Sequence, residues 1–265
     1  MDKKIAVIGG GNLGTAIVEG LLKSGFAQPA DITITKRNIA TLQALKERGV
    51  QVTTDNNKAV QQSNLVILAI KPFQIKDVLE SIAGDLVVGQ HLLISVVTGV
   101  FVKDMQEVVK KDLPIFRAMP NTAIAIQQSM TCLSSAHASV EQIQLVEDLF
   151  LTVGRVAFID EKLMDSATVL GACGTAYAMR YIRANIQGGI EIGFDAVTAS
   201  LIAAQTVKGA AELLLQRGSH PEQEIDKVTT PKGCTIAGLN EMEHQGFSSS
   251  LIKGIATSYN KIVKG

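Results

Sequence analysis

Short blocks of apolar residues alternate with helical patterns along the first 160 positions. The blocks predict strands at 4–8, 31–35, 65–70, 92–97, 115–119 and 156–159. Apolar residues at helical spacing predict helices at 12–24, 40–48 and 140–150, and the small polar residues at 134–139 predict a turn. The block at 65–70 is apolar throughout, which is typical of a strand covered on both faces. The pattern predicts an α/β fold, a Rossmann-type doubly wound parallel sheet.

The pattern becomes helical from residue 161 almost to the end. We predict two domains, 1–160 with the sheet and 161–265 all helical. The helix predicted at 195–216 carries Ala and Leu on more than one face, with a stripe at Leu201, Ala204, Val207, Ala211 and Leu214. Such a surface predicts a homodimer formed through the helical domain. The alternative is that the surrounding helices cover it alone.

Composition and charge narrow the class of protein. The chain has 265 residues, of which 46% are hydrophobic and 19% charged, so a folded enzyme or binding protein is expected. Equal numbers of basic and acidic residues, 25 each, create no field for nucleic acid or a membrane surface, and neither partner is expected. The longest apolar run, at 65–70, is far shorter than the ~18 residues that span a bilayer.

Cysteine and histidine give no sign of a disulfide framework or a metal site. The three cysteines are far apart, at Cys132, Cys173 and Cys234, and the four histidines lack ligand spacing. We therefore predict a cytoplasmic protein that uses no metal.

Three glycines in the order G-x-G-x-x-G stand between the first strand and the first helix. Gly9 allows a tight turn, Gly11 lets the backbone approach a pyrophosphate, and Gly14 allows close packing of helix on strand. The helix N-terminus adds free N–H groups and a positive dipole end. This placement predicts a dinucleotide site; the alternative is merely a tight turn. The predicted cofactor-binding residues here are Ile8, Gly9, Gly10, Gly11, Asn12, Leu13 and Gly14.

The end of the second strand indicates which dinucleotide is bound. An NAD site places an acidic residue here, whereas this chain has Thr35, Lys36, Arg37 and Asn38. Cationic side chains pair with a 2′-phosphate, so NADP(H) is favoured and NAD(H) stays open. The alternative is a solvated basic loop.

Two further strand ends are candidates for the same site, because open α/β sheets bind ligands beyond the carboxyl ends of their strands. They contribute Ala69, Ile70, Lys71 and Pro72, and then Val96, Val97 and Thr98. The alternative is that each only begins a helix.

A turn in the helical half gathers groups that suit a small carboxylate. Residues 228–238 read Val-Thr-Thr-Pro-Lys-Gly-Cys-Thr-Ile-Ala-Gly, which places hydroxyls and free N–H groups at a positive helix end. The alternative is a plain N-capped turn. The sequence shows no Ser-His-Asp set, Walker loop or paired carboxylates, which favours hydride transfer, because the nicotinamide carries that chemistry.

Several ordered segments resemble the pyrroline-5-carboxylate reductase family over nearly the whole chain. They lie at 8–14, 68–72, 117–122, 165–177, 203–211 and 229–238. The resemblance implies NAD(P)H-dependent reduction of the cyclic imine 1-pyrroline-5-carboxylate to L-proline, the final step of proline biosynthesis. It also implies a ring built from dimers.

The resemblance assigns roles to individual residues. The Thr235 hydroxyl would bond the ring nitrogen as the catalytic group, and Asn56 would line the cofactor. A threonine is a poor acid, so it would orient and relay, with water as the final proton source. The substrate-binding residues that it implies are Asn121, Gly174, Thr230, Lys232, Gly233 and Cys234.

Two departures from the family pattern lie in the substrate half. Residues 171–177 lack the family's serines and proline, and Lys232 stands where the family has glycine. These departures leave open an imine reductase for a related cyclic or N-substituted amino acid, or a nucleotide-sensing homologue without turnover. A β-hydroxyacid dehydrogenase is a third alternative, but Lys208 and Lys232 lack the context of that family's catalytic lysine.

Overall fold

The computed structural model describes residues 3–264. Within that range the strands form one eight-stranded sheet in the order β3-β2-β1-β4-β5-β6-β7-β8. Their bounds are β1 Ile5–Ile8, β2 Ile32–Thr35, β3 Gln51–Thr53, β4 Leu65–Leu68, β5 Leu92–Ser95, β6 Ile115–Met119, β7 Ser129–Ala136 and β8 Gly154–Phe158. The predicted α/β class and Rossmann-type sheet are confirmed, and the helical C-terminal region follows the sheet as expected.

One strand pair departs from the parallel arrangement. Neighbouring strands from β3 to β6 are parallel, whereas β7 runs antiparallel to β6 and parallel to β8. The turn predicted at 134–139 is wrong for its first three residues, which belong to β7. Small polar side chains hid this strand, because buried Ser129 and Thr131 alternate with exposed Met130 and look like loop residues in the sequence.

Helices cover both faces of the sheet. Those of the first 172 residues are α1 Asn12–Ser24, α2 Gln43–Glu47, α3 Asn56–Gln61, α4 Ile75–Ile82, α5 Val102–Val109, α6 Val140–Leu151 and α7 Met164–Ala167. Alternate residues of β1 point to opposite faces. Ile5 and Val7 pack with α1 and α6, while Ala6 and Ile8 pack with α3, α4 and α5.

The rest of the chain is helical. The helices are α8 Gly174–Glu191, α9 Ala196–Arg217, α10 Pro221–Lys227, α11 Cys234–His244 and α12 Phe247–Val263. Asp195 caps α9 by accepting the N–H groups of Val197 and Thr198, each at 3.0 Å. Along these five helices, as far as the structure describes them, Ala199 and Ala203 of α9 are the buried residues.

The chain forms two compact units. One runs to Ala172 and takes in the last residues from Ile262, and the other runs from Cys173 to Lys261. Residues 161–172 thus pack with the sheet. The predicted domain boundary between residues 160 and 161 stays a prediction, and its outer ends at 1 and 265 lie outside the described residues.

Candidate functional site

A cavity of about 870 Å³ opens beyond the carboxyl ends of the parallel strands. Residues at or just after the ends of five neighbouring strands line it: Ile8, Thr35, Thr54, Ala69 and Val96. This edge of an open α/β sheet is where such folds bind their ligands.

The glycine loop closes one side of this cavity. The Gly9 and Gly10 N–H groups donate to the Thr35 carbonyl at 3.2 and 2.7 Å, which holds the loop against β2. Gly9 has φ +113°, and a Cβ on Gly14 would overlap the Gly9 carbonyl oxygen, so both positions need glycine. A Cβ on Gly11 would meet only open space. No side chain caps α1, so its first N–H groups are available to an anion at the cavity.

The charges around the cavity are of one sign. Lys36, Arg37 and Lys71 line it, and no carboxylate does so among the described residues. Asp55, which lies nearby in sequence, is used to cap α3 by accepting the Lys58 N–H at 3.0 Å. The cavity therefore fits a polyphosphate ligand with a further phosphate near the end of β2.

Most of the predicted cofactor residues line this cavity, including Asn12, Leu13, Asn56, Ile70, Pro72 and Thr98. Two do not. Gly14 acts through the close contact of α1 with the loop, and Val97 packs into the core with α4 and α5. Asn38, also named with the end of β2, lines the cavity too, and four lining residues were not assigned to the site from sequence: Thr54, Gln74, Val78 and Thr122. Thr54 was missed because β3, which it follows, was not predicted.

The predicted carboxylate receptor is a closed turn. The Gly233 N–H donates to the Thr230 carbonyl at 2.9 Å, and Lys232 adopts the left-handed conformation with φ +59°. A Cβ on Gly233 would come within 2.6 Å of Thr230 Oγ1. Gly233 precedes α11 as its N-cap residue and no side chain caps the helix, so the N–H groups of Cys234 and Thr235 belong to an open helix end.

The other predicted substrate residues lie elsewhere. Gly174 is the first residue of α8. Asn121 belongs to the sheet unit, at the end of β6, where its side chain bonds Ala123 and Gly171. The structure thus gathers Thr230, Lys232, Gly233, Cys234 and Thr235 into one turn and places Asn121 in the other compact unit.

An ion-pair cluster stands just before this turn. The Glu224 carboxylate of α10 accepts from Lys227 Nζ at 2.6 Å, Ser219 Oγ at 2.7 Å and Arg217 Nη1 at 2.9 Å. These bonds, with that from Lys227 the largest cause, lower the pKa of Glu224 from 4.5 to about 2. The cluster joins the end of α9 to α10 and so fixes the approach to the turn.

Residues 3–264 lack two kinds of feature. No group of three or more His, Cys, Asp or Glu side chains is arranged to hold a metal ion. No helix there is long and apolar enough to cross a membrane. The expectation that the chain uses no metal stays a prediction.

The sheet and its cavity define an oxidoreductase of the Rossmann class. Residues 4–99 match the family model described as NADP oxidoreductase, coenzyme F420-dependent. Residues 161–264 match the model described as pyrroline-5-carboxylate reductase dimerisation. The chain belongs to the pyrroline-5-carboxylate reductase family, and the predicted family is confirmed.

Relatives along the full chain agree with these matches. Pyrroline-5-carboxylate reductase 2 of Dictyostelium discoideum is 44% identical and aligns over 99% of this chain and 93% of its own length. The corresponding reductase 2 of Bacillus subtilis is 34% identical, over 94% and 90%. Reductase 1 of D. discoideum is 49% identical over 98% of this chain, and the chain spans about half the length of that relative.

Solved structures show the same fold. A pyrroline-5-carboxylate reductase from Coxiella burnetii superposes with a TM-score of 0.88 at 30% identity, over all of this chain and 98% of the other. The Plasmodium falciparum pyrroline carboxylate reductase, solved with NADP bound, superposes with a TM-score of 0.90, over 98% and 97%. At 23% identity, this second match supports the fold alone.

Proposed function

We propose that this chain reduces 1-pyrroline-5-carboxylate to L-proline with NADPH. The observation that carries the proposal is that a cation-lined cavity beside a glycine loop and a helix N-terminus without a side-chain cap, at α11, occur in one chain of this family. Reduction of the C=N bond adds a hydride at C5 and a proton at the ring nitrogen. When bound, NADPH supplies the hydride.

The cavity residues account for the choice of cofactor. The open N–H groups of α1 receive the pyrophosphate, and Gly11 leaves room for it. Lys36 and Arg37 pair with the 2′-phosphate of NADPH, while Thr35 offers a hydroxyl. NADH lacks that phosphate and cannot form those ion pairs. It is therefore the weaker hydride donor, although it is not excluded.

The turn before α11 accounts for the substrate. Thr230 and the N–H groups of Cys234 and Thr235 hold the carboxylate, and Lys232 adds a positive charge beside it. The Thr235 hydroxyl orients the ring nitrogen and relays a proton that comes finally from water, because a threonine is itself a poor acid. Gly233 allows the approach, since a side chain there would crowd Thr230.

The helical unit accounts for assembly. Val197 and Leu201 of α9 are 80% and 71% exposed in the single chain. We infer a homodimer that covers such residues, since apolar patches of this kind are buried by partners. The ring of dimers and the cytoplasmic location stay predictions.

Steady-state turnover of the purified chain tests the reaction. NADPH oxidation should depend on 1-pyrroline-5-carboxylate, should yield proline by mass spectrometry and should be slower with NADH. Thr235→Ala should lower kcat about 100-fold, within the range for proton-transfer groups, whereas Thr235→Ser keeps the hydroxyl and most of the rate. The matched control is Thr257→Ala, whose hydroxyl donates to the Lys253 carbonyl within α12, outside the turn.

Two outcomes would count against the proposal. Turnover of a related cyclic imine with none of 1-pyrroline-5-carboxylate would assign the chain to the alternative imine reductase class. NADPH binding without turnover of either imine would identify the nucleotide-sensing alternative.

A further inference from the structure

Asn121 uses every polar group it has for bonds within the protein. Its N–H donates to Ser129 Oγ at 3.1 Å, and its carbonyl accepts the Ile124 N–H at 3.1 Å. The side-chain Oδ1 accepts the Ala123 N–H at 3.0 Å, and Nδ2 donates to the Gly171 carbonyl at 3.1 Å. An amide with both ends engaged in this way offers a substrate only one remaining oxygen lone pair and one remaining N–H.

Two of these bonds fix a short 3-10 turn, Thr122–Ile126, at the cavity. Asn121 caps the turn, and Thr122, its first residue, lines the cavity. The far side of the turn presses on α1, because a Cβ on Gly20 would overlap the Ile124 carbonyl oxygen. The turn therefore packs between α1 and β7, and the cap from Asn121 fixes the position of Thr122.

The fourth bond reaches a different segment. Gly171 belongs to a π-helical stretch, Thr168–Cys173, that leads directly into α8. Thr168 and Val169 anchor the start of that stretch in the core, whereas Gly171 follows exposed Leu170. Single π-type turns often mark functional sites. Asn121 Nδ2 thus ties the cavity turn to a segment fifty positions away.

We propose that Asn121 is a positioning residue for the reaction rather than a substrate ligand. Its amide holds Thr122 at the cavity and the 168–173 segment in one fixed relation during turnover. The proposal rests on the proposed reductase function for its kinetic part only, because the bonds themselves can be tested without substrate.

The Asn121 side chain caps the 3-10 turn through Oδ1 and donates to Gly171 through Nδ2, and two substitutions separate these two hydrogen bonds. Asn121→Ser and Asn121→Asp both keep an oxygen that can cap the 3-10 turn. Both lose the donor to Gly171, and the ionised carboxylate in addition repels the Gly171 carbonyl. The matched control is Gln127→Glu at the end of the same turn, because it removes an amide donor to another carbonyl, that of Thr152 at 3.3 Å.

Kinetics and amide hydrogen exchange are then measured on the full chain. We expect kcat to fall about tenfold for Asn121→Ser and up to about 100-fold for Asn121→Asp, since small misplacements cost rates of this size. KM for the imine should stay within about twofold in both. Exchange should quicken at 168–173 and stay unchanged at 122–126. Gln127→Glu should leave kcat and the 168–173 exchange as they are.

Other results overturn the proposal. A large rise in KM with unchanged exchange at 168–173 would make Asn121 a substrate ligand, and unchanged kcat in both variants would leave it no role in the reaction. If the unaltered chain reduces no imine, the proposed function fails separately. In that case, unchanged exchange at 168–173 in both variants would still refute the positioning of this segment.

Discussion

The two compact units bury their apolar residues in different ways. Every residue of β1 in the sheet unit is buried within the chain, and helices cover that strand on both sides. In the helical unit, the described residues of α8, α10, α11 and α12 include no buried residue, although α8 alone carries Ile182, Ile186 and Ile190. The sheet unit therefore completes its core alone, whereas the helical unit needs a second surface.

This contrast explains why the two units gave such different signals in sequence. Strands that are covered on both faces are apolar throughout, as at 65–68, and their ends mark the site. Helices that pack against a partner carry apolar residues on more than one face. Their pattern therefore predicts that they bind a partner, but not how the helices pack against it. Substitutions in each unit should accordingly affect different properties.

The largest expected effect is on the core of the sheet unit. Arg117 of β6 is 1% exposed, with Nη1 3.4 Å from Glu161 Oε1, Nη2 3.8 Å from Asp165 Oδ1, and its guanidinium 5.0 Å from the centre of the Phe101 ring. Arg117→Ala leaves Asp165 without its cation and should lower the free energy of unfolding by about 3–5 kcal/mol. Urea unfolding measures the change.

The control for that prediction is Arg155→Ala, because Arg155 is exposed on β8. It should change stability by less than about 0.5 kcal/mol. Equal losses in the two variants would show that the buried ion pairs contribute nothing beyond the removal of an arginine.

The second largest effect is expected in the helical unit, from a charge placed on α9. Leu201→Glu places a carboxylate on the exposed apolar face of α9. If a partner covers that face, the charge must be buried, and dimer affinity should fall by at least about 100-fold, close to 3 kcal/mol. Light scattering at micromolar concentration should then detect monomers that still bind NADPH.

Gln216→Glu is the matched control, because it adds the same charge near the polar end of the same helix. It should leave the dimer intact. A dimer that persists in Leu201→Glu would mean that the exposed face of α9 lies outside the interface.

A smaller effect falls within the cavity of the sheet unit. Replacing Lys36 and Arg37 together by Ser removes two cations beside the predicted 2′-phosphate. KM for NADPH should rise about 10- to 100-fold, since hydrogen bonds to charged groups are worth about 1.5–3 kcal/mol, while KM for NADH should hardly change. Replacing the exposed Lys46 and Arg48 together by Ser removes the same two positive charges away from the cavity and controls for net charge. Parallel losses for both dinucleotides would remove the 2′-phosphate from the explanation.

Residues near one another in sequence were the predictable part of the site. The glycine loop and the strand ends could be located because strand, turn and helix follow within a few positions. Asn121 and Gly171 lie fifty positions apart, so no local pattern could show their bond. The edge strand β3 was missed for another reason, since its exposed and half-buried residues form no apolar block.

The backbone conformation of Lys232 is a third feature that could not be predicted from the sequence. The departure from the family's glycine was visible in sequence, and a positive charge beside the carboxylate turn was the consequence drawn from it. The left-handed backbone, φ +59°, emerges only in the structure, and it explains why glycine suits this position.

The smallest expected effect concerns the ion-pair cluster at Glu224 in the helical unit. The pKa of this carboxyl is about 2, below its ordinary value of 4.5, because Lys227, Ser219 and Arg217 donate to its ionised form. Its contribution to stability is therefore present above about pH 4.5 and is lost as the pH falls towards 2.

Glu224→Gln should lower Tm slightly at neutral pH, and the difference in Tm from the unaltered chain should shrink as the pH falls from 4.5 towards 2. Glu222→Gln, in the first turn of the same helix, is the control. An equal, pH-independent shift in both variants would show that the depressed pKa adds nothing to folding.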